Sequence, residues 1–266
     1  MKITFLGGGN MANALIGGML KQGIAASGIT VIDPGSAARA KLAETYAVDC
    51  RESAEMLDNP GDLLVLAVKP QQMKEAAAPL IGKLGNAVVV SIAAGLDLAT
   101  LSRFLGGHRK IVRCMPNTPA LIGAGITGLC ALPEVGPDER ATADRILRAV
   151  GSTLWIDDEG KMDGVTALSG SGPAYVFLFI EALQQAAADL GFTPEQGRQL
   201  AIETVQGAAA LAAQSSEPAA LLRERGQSCL LGAGQSIEQQ TPYRAWREVL
   251  AACLGLEKRP SSVEVE

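Results

Sequence analysis

The sequence predicts an α/β fold in which an N-terminal, doubly wound parallel sheet is followed by an all-helical C-terminal domain. Short Val-, Ile- and Leu-rich runs alternate with helical stretches through the N-terminal part of the chain, the order that builds parallel strands from βαβ units. The runs lack polar alternation, as strands buried on both faces do. After Lys161 the strand-like runs stop, and Ala, Leu, Gln and Glu dominate. The predicted domains are therefore 1–160 and 161–266.

Taken in order, "KITFLG" is the first strand and "NMANALIGGMLKQG" its helix. "GITVID" pairs with "SAARAKLAETYAV", "DLLVLAVKP" with "QQMKEAAAPLIGKLG", and "AVVVSIAAG" with "DLATLSRFLGG". "KIVRCMPNTP" is a fifth strand, and "GITGLCAL" and "GSTLWIDD" add strands at one edge. In the second domain, the helix "PAYVFLFIEALQQAAADLG" opens with Pro173 shortly after Ser171. The next helix opens with Thr193, Pro194 and Glu195 as N-cap, first-turn proline and first-turn acid. The "PAYVFLFIEAL" helix is apolar almost all round and must be covered on most faces. Two or three helices cannot cover it, so a partner subunit is expected to, in an obligate homodimer.

Composition narrows the function. Apolar residues make up 48% and charged residues 19% of 266 residues, which is a globular chain with room for two domains. A net charge of −5 and the absence of a Lys/Arg run leave no footprint for nucleic acid or an anionic membrane surface. The run "ITFL" is stopped by "GGGN", too soon for a signal peptide. No uninterrupted apolar run approaches the roughly 18 residues of a bilayer crossing, so a soluble, cytoplasmic protein is expected. Cys50, Cys114, Cys130, Cys229 and Cys253 stand singly beside one histidine. That pattern argues against a metal site, a disulfide framework or a Cys/His nucleophile, and for reduced core cysteines. His108, among loop formers in "LGGHRKI", reads as a surface residue rather than a proton donor.

The turn after the first strand names a ligand class. Gly7, Gly9 and Ala12 spell G-x-G-x-x-A between a strand and a helix, the Rossmann-type arrangement for a dinucleotide. Gly7 makes the tight turn, Gly9 lets a diphosphate approach the backbone, and Ala12 allows helix and strand to pack. Gly8, Asn10 and Met11 share that turn as candidate cofactor contacts. By itself the motif is a weak signal, because any strand-to-helix turn favours glycine; its place at the head of an alternating α/β domain strengthens it. At the end of the second strand, Asp33 suits a ribose diol and therefore NADH, whereas Ser36, Arg39 and Lys41 stand near enough to take the 2′-phosphate of NADPH. Asp33 also suits a simple turn before Pro34. This stretch leaves the two cofactors open.

Three further motifs look functional. Ala67, Val68, Lys69 and Pro70 end an apolar run, at the carboxyl end of a parallel strand where such sheets bind ligands. Met115, Pro116, Asn117, Thr118 and Pro119 end another; two prolines flanking Asn-Thr make a rigid turn with two exposed polar side chains, suited to a nicotinamide carboxamide. Ser169, Gly170, Ser171, Gly172 and Pro173 precede the apolar helix. Read as a helix N-terminus, they offer free N–H groups, two hydroxyls and a positive dipole end to a small carboxylate; a plain capped helix start is the bland alternative.

With "FLGGGNMANALIGG", "LAVKPQ", "SIAAGL", "RCMPNTPALIGAGITGL" and "TALSGSGPAYVFLFIEAL" in order, residues 1–225 resemble the pyrroline-5-carboxylate reductases. The resemblance implies a dinucleotide-binding domain, a helical domain that dimerises by interleaving helices, and hydride transfer from NADPH or NADH to the C=N carbon of the cyclic imine to give L-proline. It further implies that Gly7 to Ala12, Ala67 to Pro70 and Met115 to Thr118 contact the cofactor and that Ser171, Gly172 and Pro173 border the imine ring. The chemistry agrees: a protonated imine is already electrophilic, so hydride transfer needs neither metal nor nucleophile, only closely apposed reactants in a drained pocket. No catalytic side chain is singled out.

After Arg225 the resemblance stops. The family's serine loop, Gly-Gly pair and paired hydroxylic residues are replaced by "RGQSCLLGAGQSIEQQTPYRAWREVLAACLGLEKRPSSVEVE". Ser228 stands in the serine position as a candidate substrate contact, and 241–258 keeps helical spacing. Either the carboxylate site has been rebuilt or the reading frame changes near the end of the gene. The sharp boundary tips towards the second, which predicts cofactor binding with little reductase activity. Alternatives to the reductase are an enzyme for another cyclic imine acid, a β-hydroxyacid-dehydrogenase-like enzyme (disfavoured, because the "SGSGPAYVFLFIEALQQAAADLG" helix holds no lysine), and a non-catalytic nucleotide-binding dimer.

Overall fold

The structure is a computed structural model and describes residues 1–228, with side chains through Arg225. Its strands are β1 (Ile3–Leu6), β2 (Ile29–Ile32), β3 (Asp49–Arg51), β4 (Leu63–Leu66), β5 (Val88–Ser91), β6 (Ile111–Met115), β7 (Gly125–Ala131) and β8 (Gly151–Trp155). Among the described residues they form one sheet in the order β3-β2-β1-β4-β5-β6-β7-β8. Every neighbouring pair is parallel except β6 and β7. The helices are α1 (Asn10–Lys21), α2 (Ser36–Tyr46), α3 (Met73–Ala77), α4 (Leu98–Phe104), α5 (Pro137–Leu147), α6 (Met162–Val165), α7 (Gly172–Asp189), α8 (Pro194–Gln214) and α9 (Ala219–Ser228).

The predicted doubly wound sheet is present, and alternate strand residues serve opposite layers. Ile3, Phe5, Val31, Val65 and Val90 pack with Leu15, Ile16 and Met19 of α1 and Ile146 and Leu147 of α5. Leu6, Leu64, Leu66, Val89 and Ile111 pack with Met73 and Ala77 of α3, Leu98 and Leu101 of α4, and Met162 of α6. With helices on both faces there is no polar side to the strands, which is why they read as continuous apolar runs.

Two elements differ from the sequence reading. β3, "DCR", carries two charges, so apolar patterning misses it; it is stable because it pairs with β2 at the sheet edge. The helix expected over "QQMKEAAAPLIGKLG" is one short α3 flanked by 3₁₀ turns, because Pro79 interrupts it.

The chain divides into two compact units, Met1–Pro173 and a second beginning at Ala174. The first unit extends past the change in sequence texture because α6 belongs to the sheet layers: Met162 is buried there, and the Val165 side chain fills the space over Gly128. In the second unit, Gly197 of α8 lets that helix approach Ala187 of α7, where a Cβ would lie 3.1 Å from the alanine methyl. α7 leaves Val176, Phe177, Leu178 and Phe179 exposed in the single chain, Phe177 at 61%. The helical stretch Glu159–Asp189 is long and apolar enough to cross a membrane.

Candidate functional site

The carboxyl ends of the parallel strands align. Leu6 pairs with Ile32 on one side and Leu66 on the other, and Leu66 pairs with Ser91. Just beyond, Gly7 N donates to Ile32 O at 2.8 Å, Ala67 N to Leu6 O at 2.8 Å, and Ile92 N to Leu66 O at 3.1 Å. Winding changes direction between β1 and β4, so a crevice opens where Gly7 meets Ala67, the place where open α/β sheets take ligands. Gly8 to Met11 and Ala67 to Pro70 are thereby brought to one end of the sheet.

The glycine turn fits a diphosphate. Gly7 has φ 104, and a Cβ there would lie 2.6 Å from the Ala67 carbonyl oxygen. Gly9 is the N-cap of α1 with φ −72, and the place of its missing Cβ has nothing within 4 Å. Ala12 is buried against the sheet. α1 has no capping side chain and no acid in its first turn, so its leading amides face an approaching anion without internal competition.

Asp33 is drawn into the turn itself. Its Oδ2 accepts from Gly8 N at 2.8 Å and its Oδ1 from Gly35 N at 2.7 Å. Arg39 is occupied beside it, donating to the carbonyls of Asp33 and Pro34 at 2.7 Å each. Ser36, the first residue of α2, is exposed.

At the far side, the turn after β6 touches the "LSGSGP" segment within the same unit. A Cβ on Gly170 would lie 2.6 Å from Met115 Cε. Asn117 Nδ2 donates to Ser169 O at 3.1 Å, and Asn117 Oδ1 accepts from Ile126 N at 3.0 Å. The expectation that Asn117 and Thr118 are both exposed is thus half right: Thr118 is, but Asn117 is 8% exposed, because its amide serves two backbone groups. Met115 is half-buried and Pro116 buried.

The expected helix start is present, since α7 begins at Gly172 directly after Ser171, but a further helical turn precedes it. Residues Thr166–Gly170 form a π-helical turn, closed by Ser171 N donating to Thr166 O at 2.8 Å. Ser171 therefore links the π-turn to α7, and its own amide is engaged. The Thr166 and Ser169 hydroxyls donate to the carbonyls of Met162 and Val165, four residues back, at 3.0 and 2.9 Å. Among the described residues, the Ser171 hydroxyl is engaged by none. Ser171, Gly172 and Pro173 are half-buried. Ser228 ends α9; its side chain, like residues 229–266, lies outside the described residues, and so do the expectations placed on them.

Sequence reasoning missed one supporting ion pair. Arg113, 7% exposed in β6, meets Glu159 Oε1 at 2.9 Å, and that oxygen also accepts from Leu98 N at 2.8 Å. The only signal was a lone arginine in "KIVRCM". Burial pushes the Cys114 thiol far above its ordinary value, with Cys130 adding to the effect, so it is no nucleophile. His108 is half-buried with Nε2 2.9 Å from Ala87 O, at the opposite ends of the strands. Burial lowers its pKa. No cluster of metal-ligating side chains occurs among the described residues.

Comparison with known proteins agrees with this geometry. Residues 159–238 match the family described as pyrroline-5-carboxylate reductase dimerisation, and residues 2–95 the one described as NADP oxidoreductase, coenzyme F420-dependent. The first match continues past residue 225, where the resemblance was expected to stop. A pyrroline-5-carboxylate reductase of Pseudomonas aeruginosa is 45% identical over 227 residues, 84% of this chain and 82% of the relative. The solved pyrroline-5-carboxylate reductase of Coxiella burnetii is 35% identical, with a TM-score of 0.82 over 96% of this chain and 95% of that one. The pyrroline carboxylate reductase of Plasmodium falciparum, solved with NADP bound, is 26% identical with a TM-score of 0.81, covering 96% and 95%. With sheet order, glycine turn and identity over most of both chains in agreement, this chain belongs to the pyrroline-5-carboxylate reductase family.

Proposed function

We propose that this chain reduces 1-pyrroline-5-carboxylate to L-proline, using NADPH in preference to NADH. The observation that carries the reading is the junction of the β6 turn with the "LSGSGP" segment, through Met115 against Gly170 and Asn117 on Ser169. It joins the cofactor-side crest to the residues expected at the imine. When bound, the reduced nicotinamide supplies a hydride to the imine carbon. The chain's task is to bind, orient and exclude water. Gly7 to Met11 receive the diphosphate, while Ala67 to Pro70 and Met115, Pro116 and Thr118 border the rest of the dinucleotide, with the Asn117 amide bonded inward behind them. Ser171, Gly172 and Pro173 border the imine ring. The preference for NADPH is supported by Asp33, whose two oxygens are engaged by main-chain amides, and by exposed Ser36 at the start of α2.

The working form is a homodimer in the cytoplasm. Exposed Val176, Phe177 and Leu178 and the dimerisation match over 159–238 support a second copy, rather than a bilayer, as the cover of α7. The test is oxidation of NADPH and NADH by purified protein, followed by absorbance with pyrroline-5-carboxylate and with its six-membered homologue. The expected result is turnover of the five-membered imine with a higher kcat/KM for NADPH. Cofactor binding without turnover on either imine would replace the reductase with a non-catalytic nucleotide-binding dimer.

A further inference from the structure

We propose that Asn117 is a positioning residue. Its side-chain amide supplies the hydrogen bond that Pro173 denies to the Ser169 carbonyl, and so holds the substrate-side turn against the cofactor-side turn.

Three observations converge. In an α-helix the Ser169 carbonyl would accept from the N–H of residue 173, and proline has none. The π-helical turn over Thr166–Gly170 widens the helix just before that point. The carbonyl is left without its ladder partner, and a half-buried carbonyl without a partner carries a desolvation cost. Asn117 Nδ2 reaches it at 3.1 Å, from the turn after β6.

The orientation of the amide is determined by its second bond. Ile126 N donates to Asn117 Oδ1 at 3.0 Å, which places the oxygen on β7 and the nitrogen on Ser169. One buried side chain therefore ties the end of β6, the start of β7 and the π-turn together. Met115 Cε lies over Gly170, 2.6 Å from where a Cβ would stand, so a side chain at Gly170 would displace the end of the Met115 side chain from this contact. Ser171, Gly172 and Pro173 follow the clamped carbonyl directly. On the reductase reading, on which the catalytic half of this proposal rests, the distance between hydride donor and imine depends on that clamp.

The test compares Asn117→Asp, Asn117→Ala, Pro173→Ala and the Asn117→Ala/Pro173→Ala double variant in the full-length protein. Asn117→Asp keeps an acceptor for Ile126 N and puts an oxygen where the donor stood. The expected result is a fall in kcat of about 10- to 100-fold, as for a misplacement on the ångström scale. The NADPH dissociation constant, read by fluorescence without substrate, stays within about twofold, a change worth only about 0.4 kcal/mol. The isotope effect on kcat with 4-deuterated NADPH rises, because hydride transfer becomes limiting. Pro173→Ala restores an N–H beside Ser169, so the loss caused by Asn117→Ala is smaller in that background, both in kcat and in the unfolding midpoint. If Asn117→Asp does not fold, the alanine cycle carries the same comparison. NADPH affinity falling in step with kcat/KM would make Asn117 a cofactor ligand and overturn the proposal. Unchanged kcat in the Asn117 variants, or strictly additive midpoint effects, would also overturn it. The midpoint cycle needs no turnover, so its failure is distinct from failure of the reductase reading.

Discussion

Alanine at Gly7 and at Gly9 separates the two duties of the glycine turn. At Gly7 the backbone has φ 104, which costs an L-residue about 1–2 kcal/mol. The new methyl would lie 2.6 Å from the Ala67 carbonyl oxygen and 2.8 Å from its carbon. Both are main-chain atoms just past the end of β4, held by the bond from Ala67 N to Leu6 O, and such overlap adds about 1–3 kcal/mol. A total of about 3 kcal/mol lowers the midpoint of a domain of this size by roughly 6–12 °C. At Gly9 the backbone, with φ −72 and ψ −173, accepts any residue, and the methyl meets nothing within 4 Å. Loss of the glycine N-cap costs about 1 kcal/mol at most. That methyl instead stands where a diphosphate approaches α1, and an overlap of about 1–3 kcal/mol weakens binding roughly 5- to 150-fold. Thermal unfolding without ligand and fluorescence titration with NADPH read the two effects. Gly9→Ala protein that binds NADPH as tightly as wild type would refute the placement of the diphosphate over this turn.

Asp97, the N-cap of α4, accepts from Thr100 N at 2.6 Å, and its hydrogen bonds to Thr100 hold its carboxyl below the ordinary value of 3.8. Its contribution is therefore complete above 3.8 and is lost as pH falls through the folded-state value. Asp97→Ala costs about 1 kcal/mol in urea unfolding at neutral pH, and the difference from wild type closes in acid; a difference that persists there would contradict the cap. Glu159→Ala leaves Arg113, its side chain 8% exposed, without its close partner and Leu98 N without its acceptor. A loss of about 3 kcal/mol in the same assay is expected, and a neutral outcome would show that the pair contributes nothing. Phe177→Glu puts a charge on the exposed face of α7; sedimentation should report a monomer, and an unchanged mass would remove this face from the dimer interface.

Much of the crest was legible because its signals are local. Gly7, Gly9 and Ala12 are required by the turn itself, and a strand buried on both faces spells out its apolar run wherever it pairs. β3 was hidden because its charged residues acquire strand structure only by pairing with β2. The "LSGSGP" segment was legible only in part. Proline and small residues mark the start of α7 by local preference, whereas the π-turn over Thr166–Gly170 just before it carries no local signal. Local rules also place Asn117 in an exposed turn, whereas its amide is drawn inward by Ser169, 52 residues away in the chain.

By itself the amino-acid order determined the strand–helix alternation, the glycine turn and the family, because each depends on neighbours within a few residues. It also determined that α7 needs a cover, since a helix apolar on nearly every side has no solvent face. Tertiary structure alone decided that Asp33 closes onto Gly8, that Arg113 pairs with Glu159, and that Asn117 replaces the missing donor of Pro173. Those are buried polar groups, and which partner satisfies a buried polar group depends on what the fold brings within hydrogen-bond reach.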